Sequence, residues 1–355
     1  MSGSQPEVMG KDLPALSKIP AFPPIVLRVL DLASDEEVDV RKLVELITAD
    51  TALSAQILRL ANSPLFGLTA RVDSLQHALV VLGLRRMHNL AMTAATSNYL
   101  RSALRTRELH RCWLHSLASA LLSAELARLF SQPEDSAYTA GLLHDIGRLG
   151  LLVAHPEDYT KLLRQLAEAG GDPLELERQA FGIDHCEAGE ILAQRWGLPQ
   201  EIQRAARQHH QAPGEDAGPD SLLWFSCQMA DALGYWAVPS ANVPALEWLR
   251  DRLPIAVRER LPVDPQYWKQ MIEERLRAYD VAVGDGIQAA EILPATAEAP
   301  LRAAHDTAAP APPPSELVSH ERPERSLSGD LAIVATTSLV FTAVFFLMLY
   351  LMNRG

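Results

Sequence analysis

The chain has 355 residues, 48% of them apolar and 21% charged, enough for one large folded body or two modest ones and too apolar for disorder throughout. Its 32 Lys and Arg against 44 Asp and Glu leave a net charge of -12, which speaks against a protein that coats duplex nucleic acid by releasing counterions. The cysteines, Cys112, Cys186 and Cys227, have no CxxC spacing, so neither a disulfide framework nor a zinc knuckle is expected and a reducing compartment fits.

In chain order, residues 1–12 form a polar tail without the basic-then-apolar pattern of a signal peptide. From Lys11 to about Ala290 the apolar residues recur with a helical period, which predicts an all-α fold. Asp39 precedes Val40, Leu43, Val44 and Ile47; Asp50 precedes Leu53, Ile57, Leu58 and Ala61; Ser74 precedes Leu75, Ala78, Leu79 and Leu82. Each polar residue is placed to accept a bond from an early helix N–H, and Gly83 is placed as a left-handed C-cap. Asn62, between Ala61 and Ser63, reads as a turn residue whose amide bonds locally. A break near Thr106 divides a first helical half, 13–106, from a second, 107–236.

Residues 237–290, with Trp248, Leu249, Leu253, Ile255, Tyr267, Trp268, Ile272 and Leu276, read as accessory helices closing the domain. Residues 291–330 form a linker rich in Pro and Ala, including Pro310 to Pro314, that buries too little apolar surface to fold. The 22 residues from Leu331 to Met352 carry no charge. At 1.5 Å per residue they reach about 33 Å, against a hydrocarbon core of roughly 30 Å. A single C-terminal transmembrane helix is expected, with the body of the chain cytoplasmic.

Chemistry-bearing side chains concentrate in the second half. His144 and Asp145 lie in Gly141-Leu142-Leu143-His144-Asp145-Ile146-Gly147-Arg148. Neighbouring helical positions point about 100° apart, so both reach one cation only from the edge of a face. The dipeptide alone says little, since it recurs at His305-Asp306. His115 precedes His144 by 29 residues and Asp231 follows Asp145 by 86. Together these four offer a mixed imidazole and carboxylate set suited to Fe, Mn, Zn or Mg. His185, in Asp184-His185-Cys186-Glu187, and the pair His209-His210 are candidates for a second metal or a phosphate contact. Arg85-Arg86 and the stretch Arg101, Arg105, Arg107 and Arg111 read as solvated basic faces.

This set resembles the HD superfamily of metal-dependent phosphohydrolases. Leu13-Pro14, Ile19-Pro20, Ile47 to Leu53, Leu60 to Gly67, Ser74-Leu75 and Leu82-Gly83 are similar to the front of an HDOD domain, the HD-related output domain of bacterial signalling proteins. Trp113 to Ser116, Gly141 to Gly147, and Trp196-Gly197-Leu198-Pro199 followed by His209-His210 are similar to its back half. The resemblance covers roughly Leu13 to Trp236 and implies an HD-like helical bundle used as a signalling output, in a family generally regarded as lacking demonstrated catalysis. The related HD-GYP type hydrolyses cyclic di-GMP. Here Gln211-Ala212-Pro213 stands where those enzymes continue with an acidic residue and DGxGYP, and Arg148 stands where a Lys is usual.

The resemblance also aligns His115, His144, Asp145 and Asp231 with the four-ligand HD pattern. The expected function is a membrane-tethered output module at a bacterial inner membrane, acting through a signalling protein partner or a nucleotide and without nucleic acid. The alternative is a metal-dependent phosphohydrolase or phosphodiesterase whose metal-bound water attacks phosphorus, with Asp145 and Arg148 as candidate catalytic residues and Arg148 placed to clamp a phosphate.

Overall fold

The computed structural model describes residues 13–17, 19–33, 40–63, 66, 68, 71–100, 107–214, 221–238 and 243–283, all within the compact unit Met1–Ala297. Seventeen helices and no strand make up their regular secondary structure, as an all-α fold requires. The tail 1–12, the linker 291–330, the apolar span 331–352, Asp39 and the arginines Arg101 and Arg105 lie outside the described residues. Among the described residues no helix is long and apolar enough to cross a membrane.

The first helices are short because caps and turns punctuate them. α1 (Leu13–Leu16) and α2 (Pro24–Ala33) lead to α3 (Val40–Thr48), α4 (Thr51–Ala61) and α5 (Leu75–Leu82). Asp50 accepts from the amides of Ala52 and Leu53 at the start of α4, and Ser74 accepts from that of His77 at the start of α5. Gly83 ends α5 at φ 80° and ψ 164°, a region open to glycine but outside the left-handed helical well expected from the sequence. The Asn62 amide donates to the carbonyls of Leu58 and Val72 and accepts from the Val72 amide, clamping the turn between α4 and α5. Leu43, Ile47, Leu53, Ile57 and Leu60 face one core. Each such side chain fully buried contributes roughly 1.5–3 kcal/mol.

α6 (Leu84–Leu100) packs on α2 and α4 and carries the chain into the second half. There α7 (Arg107–Leu129) forms the spine, with α8 (Glu134–Leu143) and later α14 (Leu222–Ala232) against it. Between them run α9 (Ile146–Ala154), α10 (Pro156–Ala169), α11 (Pro173–Phe181), α12 (His185–Arg195) and α13 (Gln200–Gln208). α12 packs on α9 and α13. The closing elements are α15 (Leu246–Asp251), α16 (Ile255–Arg258) and α17 (Pro265–Val283). α17 presents Trp268, Ile272 and Leu276, spaced one turn apart and all buried, and touches α4, α6 and α7, so it spans both halves. Trp248, Ile255 and Tyr267 of this region remain exposed.

Two glycines set the inter-helix distances that matter for the site. A Cβ on Gly141 would stand 2.6 Å from the Ala120 Cα, so its absence lets α8 press against α7. A Cβ on Gly147 would stand 1.8 Å from the His185 carbonyl oxygen, so its absence lets α9 cross α12 at its first turn. The glycines flanking His144-Asp145 therefore bring that pair against the helices bearing His115 and His185.

Candidate metal centre

His144 and Asp145 interrupt the helix. α8 ends at Leu143 and α9 begins at Ile146, with Asp145 at φ -101° and ψ 20°. This break removes the 100° divergence of a continuous helix and turns both side chains toward one centre. The His144 ring lies 5.3 Å from that of His115 and 4.8 Å from that of His209, centroid to centroid. His209 caps the end of α13 and His185 opens α12. Their rings are 5.3 Å apart, and His210 adds a fifth imidazole at the outer edge, with its Nε2 3.0 Å from that of His185.

Each of the four inner rings is oriented by its Nδ1. His115 donates to the Tyr235 carbonyl at 2.7 Å, His144 to the Gly141 carbonyl at 2.7 Å, and His209 to the Ala206 carbonyl at 3.0 Å. His185 donates to the Glu177 carboxylate at 2.6 Å. A proton on Nδ1 leaves the lone pair on Nε2, the arrangement that orients metal-binding imidazoles. The Nε2 atoms of His144 and His209 are buried without a hydrogen-bond partner, and so is Oδ1 of Asp145. Buried polar atoms are ordinarily paired, and three orphans facing one another fit a divalent metal in ligand type and direction. The donors of His144, Asp145 and His209 all lie within 4.8 Å of one another, as do those of His115, His144 and Cys227. A third group joins His185, Cys186, His209 and His210.

The carboxylate is held ready. Burial opposes ionisation of Asp145, but the Arg148 guanidinium and the His185 and His144 imidazoles outweigh it and hold its carboxyl well below the usual range. Arg148 Nε donates to Asp145 Oδ2 at 2.9 Å and its Nη1 to Glu177 at 3.1 Å, with the Tyr159 hydroxyl at 3.4 Å. This buried guanidinium thus orients Asp145; it is not turned outward to clamp a phosphate. Burial and the charges of His210 and His144 keep the His209 pKa well below its ordinary value, whereas Cys227 and Asp145 outweigh burial and raise that of His144.

Asp231 stands on the far side of His115, its Oδ1 3.3 Å from Nδ1, and belongs to none of the three donor groups. Burial lowers and Asp231 raises the His115 pKa, the latter prevailing. His115, His144, Asp145, His185, His209 and His210 are thus brought together, while Asp231 touches only the back of His115.

Two residues of the centre escaped the sequence reading. Glu177 is fully buried and accepts from the His185 backbone amide, His185 Nδ1, Arg148 and the Tyr159 hydroxyl. Its pKa falls to about 2, burial being outweighed by His185 and Arg148. The available signal was an acid one turn before the apolar Phe181 on α11. Cys227 lies one turn before Asp231 on α14. Burial would raise its thiol, but the neighbouring His144 and His115 bring it to about 7.

The centre is closed: His144, Asp145 and His185 are at most 2% exposed. A cleft of about 360 Å³ between the ends of α8, α13 and α14 reaches His209 and is walled by Arg204, Gln208 and Gln211.

A curated Treponema pallidum (strain Nichols) protein, described as uncharacterized, is 30% identical over 200 residues, 56% of this chain; the chain spans 39% of that relative's length. A Geobacter sulfurreducens HDOD domain protein of unknown function superposes with TM-score 0.61 at 24% identity, covering 76% of this chain and 93% of its own. A candidate phosphohydrolase of Shewanella amazonensis SB2B gives TM-score 0.56 at 23% identity over 78% and 98%. A candidate signal transduction protein of Marinobacter aquaeolei VT8 gives 0.55 at 24% over 76% and 59%. The HDOD domain family model matches residues 19–212, more than half of the chain and including His115, His144, Asp145, His185, His209 and His210. This protein belongs to the HDOD domain family.

Proposed function

We propose that this chain is a signal-transduction output module whose histidine centre holds a divalent metal as part of its architecture, and which reports a signal by binding a partner protein. The observation that carries this reading is the set of buried, unpartnered donors, His144 Nε2, His209 Nε2 and Asp145 Oδ1, each backed by a second bond that fixes its direction. His144, Asp145 and His209 would hold the ion, with His115 and His185 beside them. When bound, a divalent cation supplies positive charge that satisfies these donors and is able to activate water. The chain's own groups orient the donors: Arg148 fixes Asp145, Glu177 fixes His185, and backbone carbonyls fix the other rings. With Arg148 so engaged, a structural role and recognition at the surface fit better than turnover. The charge-free run from Leu331 to Met352 supports a C-terminal anchor, and the Pro-rich segment before it a tether, which together would hold the domain beside an inner membrane and raise its effective concentration toward membrane-bound partners.

The second reading, a metal-dependent phosphohydrolase, is favoured by the cleft that reaches His209. Elemental analysis of the full-length protein followed by a hydrolysis screen over nucleotides and cyclic dinucleotides with Mn²⁺ or Fe²⁺ separates the two. The output-module reading predicts bound metal and no turnover above a chelated control. Turnover abolished by Asp145→Asn, with folding retained, would establish the enzyme instead.

A further inference from the structure

We infer that Cys227 is a metal ligand, so that His115, His144 and Cys227 form a nitrogen and sulfur position for a borderline-soft divalent cation such as Zn²⁺, an alternative to the position made by His144, Asp145 and His209, because the one free His144 nitrogen serves a single ion. This rests on the metal-centre reading above and specifies its chemistry.

The geometry assigns the thiol to the centre. Cys227 is buried and free of any disulfide, and its sulfur lies within 4.8 Å of ligand atoms on both His115 and His144. Bonds of about 2.0–2.3 Å to one tetrahedral zinc place its ligand atoms about 3.3–3.8 Å apart, so the three, within 4.8 Å of one another, need draw together by at most about 1.5 Å. The independent mark is His144: fully buried, its Nδ1 committed to Gly141, it directs an unpartnered Nε2 into the same space. His115 is likewise tied through Nδ1 to Tyr235, which leaves Nε2 to ligate.

α14 explains why the thiol rather than a carboxylate stands there. Cys227 and Asp231 are one turn apart on the face that packs against α7. Asp231 reaches the Nδ1 side of His115, which makes it a positioning residue acting through that ring. Cys227 occupies the inner place. A thiolate selects zinc over magnesium or manganese, whereas Asp145 offers a hard oxygen, so the metal supplied decides which of the two alternative positions the shared His144 completes.

The test loads the chelator-stripped full-length protein with Zn²⁺ alone and records its X-ray absorption, with Co²⁺ loading and ligand-to-metal charge-transfer absorption in parallel. The wild-type protein is expected to show a sulfur scatterer at about 2.3 Å and a thiolate-to-cobalt band. Both are expected to vanish in Cys227→Ser and to persist in Cys186→Ser and Cys112→Ser. Zinc bound with only nitrogen and oxygen neighbours would overturn the inference while leaving the metal centre standing. A sulfur signal lost in Cys186→Ser but kept in Cys227→Ser would also overturn it. Failure of the wild-type protein to retain any zinc would overturn both readings. The wild-type spectrum alone decides whether sulfur is present, even where a variant fails to fold.

Discussion

The two halves of the domain are stabilised in opposite ways. From α1 to α6 the buried side chains are mostly aliphatic, such as Val26, Val29, Leu43, Ile47, Ile57 and Leu60, and many polar groups sit at caps and turns. From α7 to α14 the interior holds His115, His144, Asp145, Arg148, Glu177, Asp184, His185 and His209. Burying so many ionisable groups opposes folding unless all are paired, and several are not. The contrast teaches that the second half gathers its buried ionisable groups around one centre, whereas the first half is held chiefly by aliphatic packing.

Substitutions can break this contrast, and the largest effect belongs to the second half. Gly147→Ala forces a Cβ into the backbone of α12, where no side chain can yield. The expected loss is about 3 kcal/mol or more, with the centre dismantled, read by urea unfolding. A loss below about 1 kcal/mol would show that the α9 and α12 crossing is looser than described.

Glu177→Gln comes next. It leaves the buried Arg148 and His185 short of their shared carboxylate, and a loss of about 3 kcal/mol is expected at neutral pH. The sign follows from the lowered pKa. A carboxyl that falls from an ordinary value of 4.5 to about 2 on folding stabilises the fold fully above about pH 4.5 and loses that contribution as pH falls toward 2. The wild-type and variant stabilities should therefore converge on acidification, and a gap that stays constant between pH 6 and pH 3 would contradict the assignment.

Removing metal sharpens the comparison further. A chelator should lower the thermal midpoint of the wild-type protein by several degrees, equivalent to about 2–3 kcal/mol for a site saturated near a hundredfold. The same treatment should leave a His144→Ala, His209→Ala double variant unmoved, because its donors are gone. Equal shifts in both proteins would place the chelator effect elsewhere.

The first half should respond in small, separable steps. Asn62→Ala removes three bonds, two to Val72 and one to Leu58 of α4, at about 1–2 kcal/mol. Asp50→Ala removes one cap, at about 1 kcal/mol. Neither should change metal retention, and their effects should add, since no partner is shared. Strong coupling between either one and Glu177→Gln would show that the halves do not behave as distinct regions.

These differences also mark what the sequence could disclose. Asp50, Ser74 and Asn62 act through bonds within ten residues, so local patterning exposes them. The run from Gly141 to Gly147 was legible as a motif, yet its purpose appears only when two flanking helices meet at its glycines. The break at His144-Asp145 defeats a periodicity argument, because the geometry depends on leaving the helix. Glu177 looks like one more solvated acid beside Glu175, and only the fold of α9, α11 and α12 places it under His185 and Arg148. Cys227 was one isolated thiol until α14 packed on α7. Arg148 shows the converse: a charged side chain next to a motif suggests an external ligand, whereas the fold supplies it with internal carboxylates.

The most direct test of the metal centre is calorimetric titration of Zn²⁺ into the chelator-stripped full-length protein in two buffers of different ionisation enthalpy. Saturable binding of at least one ion per chain, lost in the His144→Ala, His209→Ala double variant, is the predicted result. No binding near neutral pH, or binding unchanged in that variant, would contradict it.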